Sequence, residues 1–197
     1  MAYTAIVRIV GMMKAANIRA AFTKKISRRE LLISIAVVLL IIVLLFTTLG
    51  SYPLEGQSME PTTYDGQSIV IIRAAYWFGA PQRGDVITFR HPVETDRGLI
   101  KRVIALPGEW VEVTTECVYI NGSLLDEPYI QGRNYPTYPR TLVTAGCYFV
   151  MGDNRDHSTD SRNWGMLPRE NITGRAWLVY WPLSDWHLIR GCSYDVD

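Results

Sequence analysis

Residues 31–49 read LLISIAVVLLIIVLLFTTL, with no charged side chain and only Ser34, Thr47 and Thr48 carrying a side-chain hydroxyl. As a helix rising about 1.5 Å per residue, the stretch reaches about 28 Å, enough to cross a bilayer core. A buried soluble helix rarely runs so long without a polar side. The segment therefore reads as a transmembrane helix over 31–49, and it divides the chain into three pieces.

The flanks are polarised. Residues 1–30 hold seven Lys/Arg and one acid, whereas residues 50–197 hold thirteen Lys/Arg against eighteen Asp/Glu, so a formal net charge of +1 conceals a basic head and an acidic remainder. Arg28 and Arg29 stand at the entrance to the apolar run. Positive-inside bias then keeps residues 1–30 cytoplasmic and sends residues 50–190, with a short tail at 191–197, across a cytoplasmic membrane spanned once. Gly50-Ser51-Tyr52-Pro53 offers no small-residue cleavage pattern, which favours an uncleaved anchor over a signal peptide. The basic segment is also compatible with an organellar transit peptide or an amphipathic helix on the inner membrane face. The acidic balance beyond residue 50 argues against a nucleic-acid partner.

Past the anchor the pattern changes to short β-type runs. Ser68–Arg73, Asp85–Arg90, Leu99–Leu106, Trp110–Thr115, Val118–Ile120, Cys147–Met151 and Arg175–Trp181 are rich in β-branched and aromatic residues and are separated by Gly, Pro or Asn. Asn121-Gly122 is a two-residue hairpin signal. The expected fold class is mainly β: an antiparallel domain behind one N-terminal transmembrane helix, with a Pro-rich loop at 129–139.

Three polar features interrupt this pattern: Gln57-Ser58-Met59-Glu60-Pro61-Thr62 soon after the anchor, Lys101-Arg102 within an apolar strand, and the dense loop Gly152–Arg162. Each alone is an ordinary turn, edge or surface loop. Residues 50–197, however, contain twelve arginines and one lysine, Lys101, beside Ile100 and the run Val103–Leu106. Arginine stays protonated in proteins, whereas burial can neutralise a lysine. A lysine acting as base near neutral pH must lose about 3 units from its usual pKa of about 10.4, and apolar neighbours supply that desolvation. Strand alternation places Lys101 with Val103 and Ala105, and Arg102 with Ile100 and Ile104. Lys101 is the candidate base, Arg102 a structural partner for an acid. A neutral lysine suits a hydroxyl nucleophile, which is too weak alone to attack an amide.

The ordered set Ser58-Met59-x-Pro61-Thr62, Arg83-Gly84-Asp85-Val86-Ile87-x-Phe89, Lys101-Arg102-Val103-Ile104-Ala105-Leu106-Pro107-Gly108-Glu109 and Gly152-Asp153-Asn154-Arg155 through Asp160-Ser161-Arg162 resembles type I signal peptidase, a membrane-anchored serine/lysine endopeptidase family. The resemblance spans about residues 50–183. It implies a largely β catalytic domain, Ser58 as nucleophile and Lys101 as general base. It further implies that Ser158 orients the lysine amine, and that Asp160 with Arg162 and Asp153 with Arg102 form bracing ion pairs. Leu54 and Ile100 fall where the family lines shallow pockets for small residues at −1 and −3, and Met59, next to the nucleophile, joins the substrate-binding set. Neither metal nor cofactor is implied. The implied partners are signal peptides of exported preproteins, the lipid bilayer and the secretion translocon.

Some features depart from the family pattern or lie outside it. Gly56 stands where some members carry a serine that donates to the oxyanion, and the short interval between Lys101 and Gly152 resembles compact, one-span members. His157 in the polar loop keeps a Ser/His/Asp triad as a lesser alternative. Cys117, Cys147 and Cys192 are an odd count, so a disulfide among them is allowed but at least one stays unpaired within the chain. Tyr76-Trp77-Phe78 and the six tryptophans are expected chiefly in core and loop packing, with an interfacial patch as the alternative. Competing functions are a specialised maturation peptidase of a secretion or conjugation system, an organellar inner-membrane peptidase, a self-cleaving repressor, and a non-catalytic β-domain that binds exported chains.

Overall fold

The structure, a computed structural model, describes residues 27–94, 96, 98–130 and 136–191. The expectations for residues 1–26, Cys192 and the rest of the C-terminal tail lie outside the described residues.

Helix α1 runs from Arg28 to Thr48. Ser27 and Glu30 cap its start reciprocally: Glu30 N–H donates to Ser27 Oγ (3.2 Å), and Ser27 N–H donates to the Glu30 carboxylate (2.9 Å). The helix is long and apolar enough to cross a membrane, and its side chains bury nothing within the chain. Among the described residues, those up to Leu44 fall in one unit and those from Leu45 in a second.

The second unit is built from antiparallel strands, as the runs of β-branched residues imply. They are β1 (Leu49–Pro53), β2 (Ser68–Ile72), β3 (Val86–Arg90), β4 (Gly98–Ala105), β5 (Trp110–Val113), β6 (Val118–Ile120), β7 (Ser123–Leu124), β8 (Tyr138–Leu142), β9 (Cys147–Met151), β10 (Leu167–Pro168), β11 (Ile172–Trp181) and β12 (His187–Leu188). The larger sheet is ordered β1-β2-β11-β3-β4-β9-β10, with β12 also on β11, and the smaller one β7-β6-β5-β8. Every strand expected from the sequence is present. Strand β8 is a correction: its Pro139 suggested a loop, but β8 lies at the edge of the small sheet, where a missing donor is tolerated. The Asn121-Gly122 hairpin forms, with φ of 54° and 89° at its two turn residues and Ile120 opposite Ser123.

Three apolar clusters hold the domain together. Leu54, Met59, Ile69, Val86, Ile100 and Val179 pack on one side of the large sheet. Ile87, Phe89, Val103, Tyr148 and Val150 form a second cluster. Ile104, Ala105, Val111, Val118, Ile120, Phe149 and Met151 join the two sheets. Strict alternation along β4 fails at its end: the register against β9 shifts between Val103 and Ala105, so Ile104 and Ala105 serve the same cluster. The tryptophans correct a second expectation. Trp164 is half-buried beside Phe89, but Trp77, Trp110, Trp177, Trp181 and Trp186 are all exposed, and so is Phe78.

Candidate active site

The site is assembled from three segments that the fold brings together. Ser58 opens a turn between β1 and β2. Leu54 N–H donates to Gln67 O and Gly66 N–H to Leu54 O, which staples the two ends of that loop. The Met59 side chain is buried in the first apolar cluster, anchoring the residue next to Ser58. Lys101 lies in the middle of β4 opposite Ile87 and is only 2% exposed. Its Nζ stands 2.7 Å from Ser58 Oγ and donates to Ile100 O at 2.9 Å.

The third segment is the loop 152–162. Asn154 N–H donates to Ser58 O (3.1 Å), fixing the backbone of the serine. Gly152 sits so close that a Cβ there would stand 2.4 Å from Ser58 O and 2.3 Å from Ser158 Oγ. Gly152→Ala should therefore push this loop off Ser58 and slow any reaction at Ser58 by about a hundredfold, since misplacement by an ångström costs that much. Steady-state kinetics of the purified variant check this, and unchanged turnover would refute the assigned contact.

Asp160 organises the loop. Its carboxylate accepts from Ser158 Oγ (2.8 Å), Gly152 N–H (3.0 Å), and Arg162 Nε and Nη2 (both 2.8 Å). It also accepts from the Arg162 N–H as N-cap of the short helix α2 (Ser161–Trp164). Asp153 meets Arg102 in a bidentate pair, at 2.8 and 2.7 Å, with the guanidinium 1% exposed and the carboxylate fully buried. Arg102 also donates to Gly84 O and Arg190 O, so this pair ties β4 and the loop 152–162 to the β2–β3 connection.

A cavity of about 310 Å³ opens beside the serine and lysine, lined by Tyr52, Pro53, Glu55, Gly98, Leu99 and Ile100. Gly98 abuts the Tyr52 ring, leaving 2.8 Å between a would-be Cβ and the phenol oxygen. Of the three expected substrate-binding residues, Ile100 lines this cavity, while Leu54 and Met59 are packed in the apolar cluster. Sequence reasoning did not single out Tyr52 and Gly98, because a shallow wall carries no motif.

The three histidines and Tyr76 have partners outside the serine and lysine. His157 is exposed and meets the Asn154 side chain, His91 accepts from Val93 and Glu94 N–H, and His187 contacts Thr62 O. Burial and the neighbouring Asp85 carboxylate push the Tyr76 phenol far above its ordinary pKa, so it stays a donor to Asp85. Cys117 and Cys147 are not joined to each other. Among the described residues no cluster of His, Cys, Asp and Glu could hold a metal.

A family model described as signal peptidase, peptidase S26, matches residues 27–181. The chain belongs to the signal peptidase family. Among curated family members, probable signal peptidase I-1 of Synechocystis sp. is 40% identical over 162 residues, covering 79% of this chain and 82% of its own. Signal peptidase I U of Bacillus subtilis is 33% identical, covering 88% and 97% respectively. A signal peptidase I of Enterococcus faecalis, known as a crystal structure, is 34% identical with a TM-score of 0.44, over 49% of this chain and 96% of that one. Thr62 of this signal peptidase family member, matched in the sequence but given no role, accepts from Arg102 Nη2 and donates to Asp153, completing the buried pair.

Proposed function

We propose that the chain is a membrane-bound endopeptidase that removes signal peptides from exported preproteins, with Ser58 as nucleophile and Lys101 as general base. The single observation that carries this reading is the 2.7 Å approach of Lys101 Nζ to Ser58 Oγ at the mouth of a cavity. Lys101 is buried in an apolar strand, and burial in general penalises the charged form of an amine.

In the proposed reaction the neutral amine takes the Ser58 proton as Oγ attacks the scissile carbonyl. The Ser58 N–H, which no described residue engages, is available to the developing oxyanion. Gly56 supplies no hydroxyl there, and its N–H is held by Asp65 at 2.7 Å. The protonated Lys101 then serves the leaving amine, and water released onto the acyl-enzyme is activated by the same base. A substrate can enter as an added strand along β4, where β9 pairs only from Arg102 onward and leaves Gly98–Ile100 bonded on the β3 side. The Tyr52–Gly98 wall suits small residues at −1 and −3.

The apolar helix and the exposed Trp177, Trp181, Leu183, Trp186 and Leu188 at β11 and its return support contact with a lipid bilayer. The charge asymmetry favours a cytoplasmic N-terminus, with the β domain beyond the membrane and within reach of preproteins at the translocon.

The reading is tested with the full chain in detergent and a synthetic preprotein carrying Ala-x-Ala before the cut. Cleavage after the −1 alanine, reduced at least about tenfold when that alanine is replaced by leucine, is the expected result. No cleavage sinks it in favour of a non-catalytic binding domain, and cleavage that persists in Ser58→Ala removes Ser58 as the nucleophile.

A further inference from the structure

The small sheet contributes no residue to the serine and lysine, yet the segment that follows its hairpin reaches the catalytic loop. Leu125 is buried in the cluster joining the two sheets, and the chain then turns through Glu127-Pro128-Tyr129. The Glu127 carboxylate pairs with both terminal nitrogens of Arg155, the Oε2 contact being 2.9 Å, and the two side chains are 4% and 1% exposed. Arg155 Nε donates at 3.0 Å to Gly152 O, the residue wedged between Ser58 and Ser158. The Arg155 carbonyl in turn accepts from Arg162 Nη2 (2.8 Å), which holds Asp160. Tyr129 works on the other guanidinium: its ring lies 4.1 Å from Arg102 Cζ, and its hydroxyl donates to Glu127 Oε1 at 2.7 Å.

We propose that Glu127, supported by Tyr129, is a positioning residue that holds the catalytic loop against Ser58 through Arg155, and so couples the small sheet to the site. The proposal rests on the Ser58/Lys101 reading for its kinetic consequence only. The contact chain is continuous, from the segment that follows the small sheet's hairpin to the glycine that abuts Ser58. A charge-assisted bidentate pair in a buried setting fixes distance and plane together, which a neutral amide cannot reproduce. None of these groups lines the cavity beside the serine, which is formed by β1, β4 and the segment that carries Ser58. The effect should therefore fall on turnover rather than on binding.

The test uses the full-length protein in detergent, with Glu127→Gln, Glu127→Asp and Tyr129→Phe. Glu127→Gln should lower kcat by about 10- to 100-fold with KM changed by no more than about twofold, and Glu127→Asp, which keeps the charge, should recover part of the loss. Amide hydrogen exchange of peptides covering 152–162 should speed up about tenfold in Glu127→Gln, while β2 and β11 keep their protection. Tyr129→Phe, which removes only the hydroxyl support, should lie between wild type and Glu127→Gln in both readouts. If Glu127→Gln reduces activity only in proportion to the folded fraction seen by circular dichroism, or leaves exchange of 152–162 unchanged, the positioning role is wrong. A wild-type protein that does not cleave overturns the peptidase reading instead, and the exchange comparison then decides the brace alone.

Discussion

Lys101→Ala should lower the rate of signal-peptide cleavage by at least about a thousandfold while the protein remains folded and inserted in the membrane. The expectation follows from the chemistry of the one buried amine beside Ser58. Without it no described group lies within hydrogen-bond distance of Ser58 Oγ to take its proton. Lys101→Arg should be equally inactive, because guanidinium keeps its proton where an amine can lose one. Ser58→Ala should match both, and combining it with Lys101→Ala should add little, since the two act as a unit. Thermal melting in detergent separates catalysis from folding here. The alanine side chain leaves Ile100 O without one donor, a loss of about 1–3 kcal/mol that a folded domain can absorb. Near-normal cleavage by Lys101→Ala would end the dyad assignment.

Asp153→Asn should show the largest loss of stability. Arg102 is 1% exposed and draws its counter-charge from Asp153 through two hydrogen bonds. Neutralising the acid strands a buried guanidinium, which costs about 3–5 kcal/mol. For a domain of this size the melting temperature should fall by about 10 °C. Replacing Glu109 by Gln, which breaks the more exposed pair with Arg83, should cost less, because water reaches both partners. Differential scanning calorimetry on the two variants checks the order, and equal losses would mean that burial of the Arg102–Asp153 pair contributes nothing. Replacing Arg102 and Asp153 together by apolar residues should restore part of the loss, since it is the unmatched charge that is costly.

Much of this architecture was legible in the sequence because local signals and tertiary demands coincided. Residues 31–49 lack charge, and α1 covers all but the last of them. Asn121-Gly122 asks for positive φ twice and obtains it. Lys101 stood out because every other basic residue beyond the anchor is an arginine. Where the reading fell short, the deciding physics was non-local. Pro139 reads as a loop former until the edge position of β8 is known. Ala105 departs from alternation because of a register shift that only its pairing with β9 defines. Trp177 and Trp181 could not be told from core aromatics by composition, since their exposure depends on which face of β11 meets the sheet's partners. Glu127 carries no motif signal of its own. Its importance arises from Arg155, which lies 28 positions further along.

Asp160 gives this enzyme's future variation a particular shape. One carboxylate serves the hydroxyl of Ser158, the backbone of Gly152, the fork of Arg162 and the first turn of α2 at once. A substitution at Ser158 or Arg162 withdraws a side-chain donor from the same two oxygens, and a side chain at Gly152 would crowd Ser158, so a second replacement nearby acts on a loop already loosened. The residues 152–162 should therefore be strongly epistatic, with double replacements about as harmful as single ones, unlike distant sites whose effects add. Lineages or designs that retune this peptidase will find their freedom along the cavity wall and the exposed faces of the sheets, while the loop changes as a block or stays as it is.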